Sequence, residues 1–341
     1  MEDLDSTSTD ARRRPATTLE GWRLFVDEEP AHFELLSEDA WKTLGEADRT
    51  LYDEARMSYH SEMIVVATST VRDVAKQGRL LTVINRRETG ARRGLILSGP
   101  QTTGKTTALK QLGRTHELRL RAQRPGASRI PVVYVTTPPK GSPRKLAAEF
   151  ARFLGLGPIK PRHNVTDIAD AVCQILITEG CELVLIDEIH NLNNGTSAGE
   201  DLSDHIKYFT EHLPATFVYA GIDVENCGLF TGVRGKQIAG RCVLINTTSF
   251  PFNDEWRALV ASLEDALRLH RHEPGSLVKH ARYLHTRTGG MIGSLSHLVR
   301  AAATTAILDG TETLDLKLLK SVRIDYQAES GTSQSGGDGP Q

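Results

Sequence analysis

Residues 99–106, Gly99-Pro-Gln-Thr-Thr-Gly104-Lys105-Thr106, match the pattern G-x-x-x-x-G-K-[S/T] in full. The short apolar run GLILS at residues 94–98 precedes this stretch, and apolar residues at helical spacing follow it. A loop between a strand and a helix start binds phosphate well, because its backbone N–H groups turn inward and the helix N-terminus adds partial positive charge. The pattern therefore predicts a nucleotide-binding loop.

The residues expected to contact ATP form one continuous stretch: Gly99, Pro100, Gln101, Thr102, Thr103, Gly104, Lys105, Thr106 and Thr107. Lys105 is expected to neutralise the β and γ phosphates, which gives it a catalytic role as well as a binding role. The hydroxyl of Thr106 is expected to be a ligand of Mg²⁺.

Two carboxylates follow a second apolar run, LVLI at residues 183–186. Ligands of open α/β sheets bind at the carboxyl ends of the strands, where Asp187 and Glu188 would lie. Asp187 is expected to hold Mg²⁺ through water, and Glu188 to act as general base on the attacking water. Alone, an acidic strand end also fits a solvated loop. Together with the glycine-rich loop it predicts ATP hydrolysis.

The rest of the chain alternates apolar runs of strand length with segments of helical spacing. This alternation predicts an α/β fold with a five-stranded parallel sheet covered by helices on both faces. The predicted strands are residues 94–98, 131–136, 183–186, 216–220 and 242–245, and the helices between them include 144–154, 166–178 and 202–213.

Five regions are expected along the chain from the changes in pattern. They are a disordered tail at 1–18, a helical N-terminal region at 19–90, the nucleotide-binding core at 91–248, a small helical lid at 249–325 and a second disordered tail at 326–341. The lid helices are expected at 256–270, 277–286, 294–308 and 314–322, and residues 31–88 have helical spacing.

Composition restricts the location and the partners of the protein. The 341 residues carry a formal net charge of −2, which gives no global attraction to nucleic acid. The four cysteines form no C-x-x-C pair, and no apolar run approaches the roughly 18 residues of a membrane span. The N-terminus has no apolar signal core. We expect a cytoplasmic protein with reduced thiols and no membrane partner.

Basic residues are concentrated in one segment, which contains Arg114, Arg119, Arg121, Arg124 and Arg129. Such a run is either a solvated face or a contact for DNA phosphates. His190 and Asn191 follow the carboxylates and are placed to line the site. A metal-ligand role for His190 is disfavoured, because other ligand types are absent nearby in the sequence.

Several stretches resemble the TniB/TnsC family, the AAA+ ATPase subunits of transposition systems. They are the glycine-rich loop, Asp187-Glu-Ile-His-Asn-Leu192, Arg56-Met-Ser-Tyr-His60 with Ile64-Val65, Val133-Tyr-Val-Thr-Thr-Pro-Pro139, Lys207 and Thr288-Gly-Gly-Met-Ile-Gly293. The resemblance covers residues from about 50 to 320. It implies a P-loop AAA+ NTPase fold.

The resemblance also implies a function and partners. Such proteins assemble in the ATP state as homo-oligomeric rings or filaments on double-stranded DNA without sequence specificity, and they recruit and activate a DDE transposase. A nucleoid-associated location in the cytoplasm follows. Arg241 resembles the arginine finger that one subunit inserts into a neighbour's catalytic site, with Arg234 as the competing candidate.

Two departures from the AAA+ pattern predict a slow, switch-like ATPase. No polar residue matches at the end of the fourth predicted strand, in Tyr219-Ala-Gly-Ile222, and the lid arginine of many relatives is replaced around Gly293 and Ser294. The alternative from another class is a signalling or defence NTPase that oligomerises with protein partners and does not bind DNA.

Overall fold

The computed structural model describes residues 14–62, 65–126, 129–157, 159, 164–192, 206–230 and 232–325. Most of the predicted N-terminal tail, all of the tail at 326–341, the first part of the predicted helix 202–213 and Ile64 lie outside the described residues. The side chain of Arg234 lies outside them as well.

The described residues form a five-stranded parallel sheet in the order β2-β3-β4-β1-β5. The strands are β1 (Gly94–Ser98), β2 (Val132–Thr136), β3 (Leu183–Asp187), β4 (Thr216–Gly221) and β5 (Cys242–Asn246). The predicted sheet is confirmed, with each strand boundary within one residue of its expected place. Because β4 lies between β1 and β3, the carboxyl ends of those two strands flank its own.

The helices, in chain order, are α1 (Leu19–Asp27), α2 (Glu38–Lys42), α3 (Glu46–Ser61), α4 (Ser69–Asn85), α5 (Lys105–Gln123), α6 (Pro143–Phe153), α7 (Val165–Thr178), α8 (206–212), α9 (Gly232–Ala239), α10 (Asp254–Asp265), α11 (Ser276–Lys279), α12 (Ala281–Thr288), α13 (Ile292–Leu308) and α14 (Leu316–Ser321). Among the described residues no single helix is long and apolar enough to cross a bilayer, although α12 and α13, bent by 118°, meet that criterion when joined.

The first of two compact units contains the sheet. It comprises the described parts of Met1–Glu28, Ser69–Gln101 and Lys105–Thr247. Strands β1, β3 and β4 are buried along their whole length, as near-continuous apolar runs predict for a parallel sheet with both faces covered. The core of this unit is therefore built on strands whose carboxyl ends lie beside Lys105 and Asp187.

Helix α1 is fastened to α5 by charged groups as well as by packing. The fully buried Trp22 donates its indole N–H to Oε2 of Glu117 at 2.6 Å. Arg114 donates to the carbonyls of Val26 and Glu28, and Arg121 pairs with Asp27 and Glu117. Two arginines of the basic run thus hold helices together.

The second unit comprises Glu29–Thr68, Thr102–Gly104 and the described part of Thr248–Gln341. Its apolar core surrounds Trp256 and Leu298, both 0% exposed. Arg56 of α3, also 0% exposed, donates to both carboxylate oxygens of Glu312 at 2.7 and 2.8 Å. A buried ion pair therefore joins α3 to the turn before α14.

Two helix predictions in the second unit were wrong in extent. The helix expected at 256–270 ends at Asp265, because side chains take up the backbone donors beyond it. The N–H of Arg268 donates to Nε2 of His60 and that of His270 to Oε2 of Glu312. The helix expected at 277–286 is two helices, α11 and α12, which divide at His280.

The helical spacing of residues 31–88 also covers non-helical segments. Residues 29–37 and the described part of 62–68 are not helical, and α2, α3 and α4 account for the rest apart from short connections. Pro30 explains the first interruption, because proline disfavours a helical residue before it and lacks the N–H donor.

Candidate nucleotide-binding site

Gly99 begins the glycine-rich loop in a conformation that excludes other residue types. Its φ is +150°, and a Cβ added there would lie 2.1 Å from the carbonyl oxygen of Thr247. Its N–H donates to the carbonyl of Gly221 at 3.3 Å, which ties the loop to the end of β4. The glycine of the motif is therefore required by close approach of the backbone.

The middle of the loop, Thr102–Gly104, makes its contacts within the second unit. The N–H of Gly293 donates to the carbonyl of Thr102 at 2.8 Å, and a Cβ at Gly293 would lie 2.9 Å from Cβ of Thr102. Gly293 and Ser294 lie in the first turn of α13, at the place where the sequence pattern lacks the expected arginine. A larger residue at 293 would push into the loop.

Lys105 is the first residue of α5 and is only 7% exposed. Its Nζ donates to the carbonyl of Gly99 at 2.8 Å and to that of Pro100. Burial lowers the pKa of Lys105, and the negative charges of Glu188 and then Asp187 oppose that shift. The lysine of the loop and the two carboxylates at the end of β3 thus lie close enough to interact electrostatically. Thr106 follows in the first turn of α5.

Asp187, the last residue of β3, is 2% exposed and held from two sides. Its Oδ1 accepts the N–H of Glu188 at 2.9 Å, and its Oδ2 accepts the hydroxyl of Tyr134 at 3.1 Å. Burial, and next the charge of Asp187, raise the pKa of Tyr134, so the phenol remains a donor. These contacts fix the direction of the carboxylate.

Glu188 has a left-handed backbone, with φ +55° and ψ +35°, and a half-exposed side chain. Its Oε2 lies 3.3 Å from Nε2 of His190. Nδ1 of His190 accepts the N–H of Ile222, just beyond β4, at 3.2 Å. A left-handed glutamate is uncommon, and such residues concentrate at functional sites.

Arg241 lies apart from these groups. It precedes β5, and its carbonyl accepts the N–H of Gly94 at the start of β1. That edge of the sheet is opposite to the one where Lys105 and Asp187 lie. With Arg92 and Arg93 it lines a cavity of about 30 Å³. The structure brings Lys105, Asp187 and Glu188 together and leaves Arg241 outside their cluster.

Two groups at the site were missed by sequence reasoning, the hydroxyl of Tyr134 and the N–H of Ile222. Tyr134 lies on β2, which pairs with β3 so that Thr136 is opposite Asp187. Alternation along the strands puts Tyr134 on the face that carries Asp187. The strand order needed for that deduction is not visible in one sequence, and a backbone donor leaves no signal in residue type.

Comparisons with known proteins agree with this architecture. The model of the family described as bacterial TniB protein matches residues 57–231, just over half of the chain. No curated protein sequence matches the chain.

Three solved structures are similar in fold. The Orc1 protein of Aeropyrum pernix in complex with DNA shares 18% identity at a TM-score of 0.56, over 80% of this chain and 66% of that chain. The Orc2 protein of Aeropyrum pernix in its ADP form shares 19% at 0.57, over 80% and 71%. Cdc6p from Pyrobaculum aerophilum shares 16% at 0.53, over 73% and 65%.

The chain thus spans just under two thirds of the Orc1 and Cdc6p chains. At such identities the likeness establishes the fold, which is that of the P-loop AAA+ ATPases. With the family match over half of its length, the chain belongs to the bacterial TniB family.

Proposed function

We propose that this protein is an ATP-binding and ATP-hydrolysing regulator of DNA transposition. In this proposal it assembles with ATP on double-stranded target DNA and recruits and activates a DDE transposase. The observation that carries the proposal is the cluster of Lys105 with Glu188 and Asp187 at the carboxyl edge of the sheet, in a chain of the TniB family. The chemistry is transfer of the terminal phosphoryl group to water.

The residues present fit a magnesium nucleotide. Gly99 and Gly104, with φ of +150° and +89°, leave the loop backbone free of side chains that would block phosphate. Nζ of Lys105 is bonded to two loop carbonyls, which it can exchange for phosphate oxygens. A threonine hydroxyl and a carboxylate are oxygen ligands suited to Mg²⁺, so Thr106 and Asp187 would hold the ion. When bound, Mg²⁺ neutralises charge on the phosphates.

The roles of the chain's own groups follow from this arrangement. Lys105 would attract the terminal phosphates, and the hydroxyl of Tyr134 would keep the carboxylate of Asp187 oriented by donating to it. Glu188 would accept the proton of the attacking water at its carboxylate. The backbone N–H groups of residues 99–107 would orient the phosphates.

Arg241 would act on the nucleotide of a neighbouring copy. It lies at the edge of the sheet opposite to Lys105, so it does not reach the nucleotide of its own chain. A guanidinium supplied by another subunit stabilises the charge that develops on the transferred group. A homo-oligomeric ring or filament therefore belongs to the proposal, and turnover would depend on assembly.

Double-stranded DNA is the proposed template for that assembly. Arg124 and Arg129 line a small cavity beside Glu182, where β2 and β3 begin. Glu182 also lies 3.8 Å from Arg86 and 3.5 Å from His116, so basic groups outnumber the carboxylate there. Phosphate contacts of this kind carry no sequence information. The similar Orc1 structure is itself a complex with DNA.

Electron microscopy of the purified protein with duplex DNA and a non-hydrolysable ATP analogue tests the proposal. We expect rings or filaments that follow the duplex and that require both ligands. Glu188→Gln should form the same assemblies with ATP itself and keep them, because it binds ATP and hydrolyses it far more slowly than the wild type. Assemblies that form equally well without DNA would contradict the proposal and favour the signalling or defence NTPase.

Two charge-matched double variants test, in the same experiment, whether Arg124 and Arg129 contact DNA. Arg124→Ala combined with Arg129→Ala should weaken DNA-stimulated assembly and reduce its salt dependence, since two phosphate contacts are lost. Lys317→Ala combined with Lys320→Ala removes two exposed charges of the same sign from α14 and should change neither.

A further inference from the structure

We propose that His190 is a positioning residue for Glu188, which it links to the peptide group between Gly221 and Ile222. The proposal rests on the ATP hydrolysis proposed above and names a further residue of that site. In this role His190 replaces the polar side chain that the sequence pattern lacks at the end of β4. In the proposal it acts through the glutamate and not on the reacting groups themselves.

The contacts of His190 determine where its proton lies. Nδ1 accepts the N–H of Ile222 at 3.2 Å, so this nitrogen carries no hydrogen. In the neutral ring the proton is then on Nε2, since one ring nitrogen is the donor and the other the acceptor. Nε2 lies 3.3 Å from Oε2 of Glu188. The ring therefore presents its single N–H group to the carboxylate.

The peptide group that holds His190 also holds the glycine-rich loop. The carbonyl of Gly221 accepts the N–H of Gly99 at 3.3 Å, while the N–H of Ile222 donates to His190. One rigid, planar unit thus fixes the start of the loop on one side and the imidazole on the other. Two hydrogen bonds, from Gly99 to Gly221 and from Ile222 to His190, together with the imidazole ring thus connect Glu188 to the glycine-rich loop.

Gly221 leaves room for the imidazole of His190. A Cβ at this position would lie 3.0 Å from Nδ1 of His190 and 3.0 Å from Cγ2 of Val224. The imidazole of His190 lies in the space that a side chain at position 221 would need, so it can take this position only because residue 221 is a glycine.

The glutamate held in this way faces the lysine of the loop. Glu188 affects the pKa of Lys105 more than Asp187 does, although both carboxylates raise it against the effect of burial. The left-handed backbone at Glu188 further limits where its side chain can point. His190 therefore holds the carboxylate of Glu188 at the edge of the sheet where Lys105 lies, and in the proposal the attacking water lies there too.

Two substitutions at His190 separate its two contacts. In His190→Asn the amide oxygen takes the place of Nδ1 and keeps the bond to Ile222, but the side chain ends before Glu188. In His190→Gln the amide N–H₂ takes the place of Nε2. We expect His190→Asn to bind ATP as tightly as the wild type and to lose about 10- to 100-fold in kcat, because misplacement of a catalytic group by about 1 Å costs up to about 100-fold.

His190→Gln should recover most of that loss in kcat, and His32→Asn, which alters an exposed histidine, is the matched control. Comparison of the variants in a Glu188→Gln background makes the test specific. In that background His190→Asn should cause no further loss of kcat, because the carboxylate that His190 positions is already absent. An additive loss, a wild-type kcat in His190→Asn or a loss of ATP affinity would overturn the proposal.

The Glu188→Gln variant distinguishes a failure of the proposed function from a failure of the role given to His190. If Glu188→Gln hydrolyses ATP as fast as the wild type, the proposed function fails. If it does not, and His190→Asn is nevertheless fully active, only the role of His190 fails.

The tautomer gives a readout independent of turnover. Nitrogen-15 NMR of histidine-labelled protein at pH 8 should show His190 protonated on Nε2 and not on Nδ1, with a shift of the Nε2 resonance in Glu188→Gln. A proton on Nδ1 would contradict the contact with Ile222 and with it the proposal. This measurement uses the folded wild-type chain, so it decides the point even if a His190 variant unfolds.

Discussion

At the scale of single residues, Gly99 shows how the loop is held against the rest of its unit. Replacement by alanine would bring Cβ within 2.1 Å of the carbonyl oxygen of Thr247, at a φ of +150°. We expect Gly99→Ala to lose at least about 1–3 kcal/mol of unfolding free energy, because the backbone must move.

Urea unfolding of Gly99→Ala beside Gly90→Ala measures this loss. Gly90 is exposed and a Cβ there has no neighbour within 4 Å, so that variant should unfold like the wild type. Equal stability of the two variants would show that the backbone of the loop is not constrained as described.

The sequence predicted Lys105 from the glycine-rich loop, and Asp187 and Glu188 from the apolar run before them taken together with that loop. The pattern could not identify the partners of those residues. Tyr134 donates to Asp187, which lies 53 residues later in the chain, and only the strand order makes the two residues neighbours. The backbone conformation of Glu188 was invisible for another reason, since glutamate has no preference for left-handed φ.

At the scale of elements, the buried pair of Arg56 and Glu312 joins α3 to the turn before α14. Both side chains are 0% exposed, and Asp53 accepts a further bond from Arg56 at 2.5 Å. Arg56→Met should cost about 3–5 kcal/mol, since it leaves a buried carboxylate without its partner.

Chemical denaturation of Arg56→Met measures this cost against that of Lys42→Met. Lys42 and Glu38 form an exposed pair at 2.8 Å, and an exposed pair contributes about 1 kcal/mol or less. A loss from Arg56→Met no larger than that of the control would contradict the structural role given to the buried pair.

His60 of α3 gives the second unit a pH dependence. Burial lowers its pKa from 6.5 to about 4, with smaller effects from Arg56 and Arg268. Because the folded value lies below the unfolded one, the related stability is present above pH 6.5 and is lost as the pH falls toward 4. At pH 4 the loss reaches about 3 kcal/mol.

His60→Gln should remove this component of the acid sensitivity. The measurement is the difference in unfolding free energy between wild type and variant at pH 8, 6, 5 and 4, which cancels the groups common to both. A difference that stays constant over this range would contradict the buried, neutral state of His60.

Helix boundaries in the second unit were less predictable than strands. Apolar spacing continues beyond Asp265, but the backbone donors there bond to side chains from α3 and from the turn at Glu312. Those acceptors are distant in the sequence, so the apolar spacing of residues 256–270 could not indicate them. The buried strands of the first unit depend on local apolar runs, which explains why their bounds were predicted closely.

At the scale of the whole molecule, the fold follows from the alternation of strands and helices. The proposed function depends on the proximity of Lys105 to Glu188 and Asp187. The sheet order sets the ends of β1 and β3 on either side of β4, which brings Lys105 near Glu188 and Asp187. Arg241 lies at the other edge of the sheet, and in the proposal it acts on the nucleotide of a neighbouring copy. Assembly and hydrolysis are therefore linked in the proposal.

Both proposals require that Lys105 and the carboxylates form a nucleotide site. Equilibrium titration of wild type and Lys105→Ala with Mg-ATP measures whether they do. We expect Lys105→Ala to bind at least about 10- to 100-fold more weakly, because a hydrogen-bonded charge that contributes about 1.5–3 kcal/mol is removed. Equal affinity of the two proteins for Mg-ATP would contradict the account.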